Sequence, residues 1–249
     1  MAGQAAAMTA LDDPRPGVLA SSLAVASGRQ HRDDPVLPST GGPAGNAILT
    51  AWTGLVLLVL SVAELLTLND VRGLISWHLA IGALLIPPAL LKTGTTTWRM
   101  VRYYRGNVPY QQAGPPPLLL RLLGPVVVLS TFALLATGVV LVLLGEESSR
   151  NVLATLPLVR VDWLSLHQAS FAVWAPATGL HLIGRLVPAL QVAARRLSVP
   201  GRLRRRLAAA TVVAVAVPLA VLIAHAVGDW GGEGHRFHPG SRSGPPPGP

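Results

Sequence analysis

No cysteine occurs among the 249 residues. That excludes disulfides, thiolate metal sites, cysteine nucleophiles and covalently attached c-type haem. Charge is scarce too: 12% of residues are charged, against about 25% in a soluble domain. Lysine is nearly missing, with Lys92 alone, so the net charge of +9 rests almost wholly on arginine. There is no phosphate-binding glycine loop, no dinucleotide fingerprint and no Ser/His/Asp arrangement at usable spacing. Nucleotide-driven and hydrolytic chemistry therefore have no foothold in the chain.

What the sequence has instead is apolar length. Hydrophobic residues make up 51% of it, and the mean hydropathy is +0.49. About 20 helical residues cross about 30 Å of hydrocarbon. Five segments reach that length: 47–68, 74–97, 118–145, 163–192 and 207–227. They are continuous and rich in Leu, Ala and Val, and a helix satisfies its own backbone in lipid. The fold expected is all-α and integral to the membrane, with five transmembrane helices. The first four form an up-and-down bundle.

Arginine sets the orientation. Arg99, Arg102, Arg105 and Arg121 fall between the second and third spans. Arg195, Arg196, Arg202, Arg204, Arg205 and Arg206 fall between the fourth and fifth. The opposite loops hold Arg72 in one, and Arg150 and Arg160 beside Glu146, Glu147 and Asp162 in the other. The basic loops are expected in the cytoplasm, where anionic lipid rather than nucleic acid is their partner. Residues 1–45 read as a disordered cytoplasmic tail and 46–197 as a four-helix membrane core. Residues 198–227 read as the fifth helix with its basic loop, and 228–249 as a disordered extracytoplasmic tail. The Arg, Ala, Gly and Pro bias fits a GC-rich bacterial genome, hence a bacterial plasma membrane.

The second and fourth spans overlay without gaps. Ile75-Ser76-Trp77-His78 falls on Leu164-Ser165-Leu166-His167, Pro87 on Pro176 and Lys92 on His181. This pattern implies a tandem two-helix repeat, with His78 and His167 at one depth on parallel helices. Ionisable groups within a bilayer are functional candidates. Here they are Glu64, His78, Lys92, His167 and His181, with Arg185 one turn beyond. His167 and His181, fourteen residues apart, lie near one face and about 21 Å apart along the helix. Facing imidazoles at one depth suit iron. The same residues also admit a cofactor-free bundle of structural or assembly role, whose histidines bond backbone carbonyls. A proton-coupled transporter using Glu64, Lys92 and His181 is a third reading. His225 near the end of the fifth span, and His235 and His238 in the tail, are secondary candidates.

This pattern of histidines over about 47–192 resembles the membrane b-type cytochromes: cytochrome b of quinol-oxidising complexes and the smaller bacterial four-helix cytochromes. The resemblance implies non-covalent haem b, one or two groups, and electron transfer. It makes His78 and His167 axial ligands of one haem and His181 a ligand of a second. Lys92 stands where the family has its fourth histidine. With no NAD or flavin motif in the chain, the resemblance implies a quinone or a redox partner subunit as the electron source. The protein would then be a membrane anchor of a larger oxidoreductase.

Overall fold

In the computed structural model the described residues are 17–30, 33–156, 159–195 and 198–228. The chain is mostly helical. In order it forms α1 (Val18–Ala26), α2 (Gly42–Thr67), a 3-10 turn (Leu68–Asp70), α3 (Ile75–Tyr104) and α4 (Val108–Gln112). Then come α5 (Leu118–Ser149), a hairpin of β1 (Ala154–Leu156) and β2 (Val159–Val161), α6 (Trp163–Ala194) and α7 (Arg202–Gly228). β1 and β2 pair antiparallel, with Thr155 opposite Arg160.

Four helices are long and apolar enough to cross a membrane: Gly42–Asp70, Ile75–Tyr104, Leu118–Gly145 and Arg202–His225. α6 matches them in length with 32 residues. Its apolar run is broken by His167, Gln168, His181, Arg185 and Gln191. Among the described residues, length and hydropathy thus mark four of the five expected spans.

Side chains are distributed as they are in lipid. Large apolar residues face outward, with Leu143 78% and Ile183 71% exposed, while the buried core is mostly small: Ala83, Ala89, Ala177, Ala216 and Ala220. Without a hydrophobic drive between helices, close backbone approach through small residues supplies the packing.

Helices α2, α3, α5 and α6 close into a ring, each packed on its two neighbours, and α7 lies outside against α3. α3 and α6 stand diagonally across the ring. The basic loops lie at one end of the bundle and the hairpin at the other. At the basic end Gly41 (φ 75) precedes α2, whose first turn carries the fully buried Pro43. Proline there already has helical φ and lacks only an N–H that would be unpaired anyway. At the hairpin end, Asp162 and Ser165 form a capping box. The Asp162 carboxylate accepts from the Ser165 N–H (2.6 Å) and the Ser165 hydroxyl accepts from the Asp162 N–H (2.9 Å). The backbone and then the hydroxyl of Ser165 hold that carboxyl below its usual range.

Two local features depart from the sequence reading. The segment read as an irregular tail through residue 45 contains α1, which packs on α6 and α5. Asp34, in the same segment, pairs with Arg99 of α3 at 2.6 Å. The rest of that tail before residue 17, and residues 229–249 with His235 and His238, lie outside the described residues. The second departure is a break inside α5 at Gly145, with φ 75 and ψ 175. Only glycine is at home there, and other residues cost about 1–3 kcal/mol. Gly145→Val is expected to lower the unfolding free energy by about that amount, read as a lower Tm in detergent. An unchanged Tm would show that the break does not need glycine.

Candidate functional site

The ring encloses a cavity of about 1670 Å³, lined by His78, His167, His181, Lys92 and Arg185 among a mainly apolar wall. Drug-sized ligand pockets run to about 1,000 Å³, so this one exceeds the needs of a single small ligand. Gly124 and Gly179 line it, and a Cβ at either would meet nothing within 4 Å.

His78 and His167 come together from the diagonal helices α3 and α6. Their ring centroids are 6.5 Å apart, with planes at 85°. Each is held by a threonine of the preceding helix. Thr67 Oγ1 lies 2.8 Å from His78 Nδ1, and Thr137 Oγ1 lies 3.0 Å from His167 Nδ1.

These contacts favour one tautomer of each ring. A hydroxyl has one proton to give. Thr67 donates its proton to the Glu64 carbonyl (2.6 Å), and Thr137 donates to the Ala133 carbonyl (2.7 Å). Toward the imidazoles both threonines can only accept, so each Nδ1 carries hydrogen. In the neutral ring, Nε2 is then left with its lone pair. Glu64 Oε1, 3.1 Å from His78 Nδ1, is a second acceptor for that same N–H. Metal-bound histidines have this arrangement: the far ring nitrogen donates outward and fixes the ring. Thr67 and Thr137 were missed in the sequence. A hydroxyl residue on the preceding span at the depth of each histidine would have been the signal.

His181 lies about 21 Å from His167 along α6, toward the basic end. Its Nδ1 and the neighbouring Thr178 Oγ1 are buried without a hydrogen-bond partner among the described residues. Lys92 is turned toward α2. Its Nζ donates to the Thr50 carbonyl at 3.3 Å and fits because residue 54 is glycine, where a Cβ would come within 2.6 Å of Nζ. A polar seam fastens α2 to α3 at this level, with Thr50 bonded to Thr95 (3.0 Å) and Asn46 to the Thr95 carbonyl (3.0 Å). Midway between His167 and His181, Trp174 Nε1 donates to Thr131 Oγ1 at 3.1 Å. His225 sits exposed on α7 and does not line the cavity.

The donor set can be tested against metals. Among the described residues, no group of three or more His, Cys, Asp or Glu could hold an ion. Zinc sites take three or four protein ligands, so the histidine pair does not fit a bare ion of that kind. It fits a metal whose remaining ligands come with it. Two collinear imidazole–metal bonds of about 2 Å, with each nitrogen about 1.15 Å from its ring centre, put the centroids about 6.3 Å apart. The 6.5 Å between the ring centroids leaves room for that separation, with the two rings edge to face.

Compared with protein-family models, curated proteins and solved structures, the chain matches none.

Proposed function

We propose that this chain is a membrane electron-transfer protein that binds one non-covalent haem b between His78 and His167. The observation that carries this reading is the histidine pair: two imidazoles from α3 and α6 with centroids 6.5 Å apart, each with Nδ1 beside a threonine hydroxyl. The cavity between α3 and α6 supplies room for a flat macrocycle. When bound, the haem supplies reversible one-electron chemistry, and the protein sets its potential through axial ligands, their hydrogen bonds and local charge. Glu64 and Thr67 on one side, and Thr137 on the other, orient the rings.

The account assigns one haem. The ring pair found between histidines is His78 with His167 and does not include His181, and Lys92 is engaged with Thr50. His181 and Lys92 then act toward another ligand at the basic end. In this reading α6 also crosses the membrane, as the fourth of five spans. His167, Gln168, His181 and Arg185 line the cavity, and they lower the hydropathy of the helix. The matched Thr–His pairs on α2/α3 and α5/α6 support the tandem repeat of two helices. Arginine distribution supports a cytoplasmic N-terminus in a bacterial plasma membrane. Electrons come from a quinol or a partner subunit of a larger oxidoreductase.

The test is haem content per chain, by pyridine haemochrome, in the full chain purified after expression with added haem. One b-type haem per chain, extractable into acidic acetone, is expected. Two would assign His181 and Lys92 to a second group. None would overturn the proposal.

A further inference from the structure

At the basic end the cavity gathers cations that the histidine pair does not use. Lys92, His181 and Arg185 lie close enough to repel one another, and Arg185 also feels Arg99. Asp34, paired with Arg99, is the one carboxylate tied to this group among the described residues. Among the described residues Arg185 forms no ion pair and no side-chain hydrogen bond. A half-buried guanidinium beside an ammonium, without a matching anion, is costly in a low-dielectric interior. The orphaned Thr178 hydroxyl and His181 Nδ1 point to the same deficit: this end lacks an anion that accepts hydrogen bonds.

A haem held at His78 and His167 does not supply it. Arg185 lies one helical turn beyond His181, itself about 21 Å from the histidine pair's level. The adjoining cavity wall is apolar, formed by Leu120, Val127, Leu182 and Leu186. The ligand that matches both features has an anionic head and a long apolar body. We infer that the basic end of the cavity is a specific site for an anionic phospholipid, its phosphate on Arg185 within the field of Lys92 and its acyl chains along the α5–α6 wall. Arginine grips phosphate with paired N–H donors, whereas lysine acts as a point charge. Thr178 and His181 would meet the remaining oxygens. The inference is independent of haem binding at the other end.

The experiment is native mass spectrometry of the purified full chain titrated with dioleoyl phosphatidylglycerol and, separately, dioleoyl phosphatidylcholine in neutral detergent. The expected result is preferential retention of phosphatidylglycerol. Arg185→Leu should weaken that binding about 10–100-fold, the scale of a charge-assisted hydrogen-bond pair, and Arg185→Lys should recover part of it. Lys92→Met serves the same purpose if Arg185→Leu does not fold. Equal binding of phosphatidylcholine overturns the proposal, as does undiminished binding in a folded Arg185→Leu variant. That second outcome would locate the lipid on the surface arginines 202–206 instead. Displacement by millimolar inorganic phosphate also overturns it, because the apolar body would then contribute nothing. The haem spectrum of the same samples reads the other site, so failure of one proposal is visible apart from failure of the other.

Discussion

Alanine at His78 or at His167 is expected to reduce bound haem from one per chain to below about a tenth. Each substitution removes half of a two-ligand set. The variants should still fold. Truncating a half-buried imidazole (His78 side chain 17% exposed) enlarges a cavity that is already large, and α3 keeps its other seam to α2 through Thr50, Thr95 and Asn46. Circular dichroism and Tm check this. Two further variants separate ligation from packing. His78→Met keeps a soft axial donor and should retain haem with a raised potential. His181→Ala, at the far end of α6, should leave haem content unchanged. Haem retained in full by both His78→Ala and His167→Ala would exclude the pair as ligands.

The second large effect concerns the threonines. Thr67→Val and Thr137→Val preserve shape and remove only the acceptor that each Nδ1–H uses. Loss of such outer hydrogen bonds costs about 10–100-fold in metal affinity, and the same range is expected for haem. The two sites should differ. His78 keeps Glu64 Oε1 at 3.1 Å as a second acceptor, so Thr67→Val should fall at the mild end. His167 has no carboxylate beside it among the described residues, and Thr137→Val should fall at the severe end. Competition with apomyoglobin measures both. Equal affinities for the wild type and both variants would show that the threonines do not position the rings.

The membrane helices were legible because their signal is length and apolarity, which lipid imposes without help from tertiary contacts. α6 shows the limit of that signal. Residues 163–194 are long enough, yet the polar groups that line the cavity dilute the hydropathy that marks a span. α1 was not legible for the opposite reason. Its nine residues carry no capping side chain and no charge, and a helix that short depends on packing, here against α5 and α6. The hairpin at 154–161 was read simply as a loop, although Ala154-Thr155-Leu156 and Val159-Arg160-Val161 alternate as paired strands do.

The pairing of His78 with His167 was legible from the ungapped overlay of the second and fourth spans. Their threonine partners were not. Serine and threonine in helices commonly bond a carbonyl three or four residues back, as Thr131 and Ser130 do here. Nothing local marks Thr67 and Thr137 as also meeting a ring on the next helix. The pairing of Asp34 with Arg99, 65 residues apart, is likewise invisible to spacing. It depends on how residues 33–41 fold over the basic end. Lys92 stood in the overlay as a counterpart of His181, but the structure turns it toward Thr50 because residue 54 is glycine and leaves it room. In the proposed reading, that side-chain direction takes Lys92 away from a second haem opposite His181.

The most direct test of the account is the dithionite-reduced minus air-oxidised absorption spectrum of the full chain in detergent after expression with added haem. The account predicts a low-spin b-type α-band that is unaffected by cyanide or carbon monoxide, because both axial positions are filled by His78 and His167. A featureless difference spectrum would contradict it. So would a high-spin haem that binds carbon monoxide, since one of the two histidines would then not be a ligand.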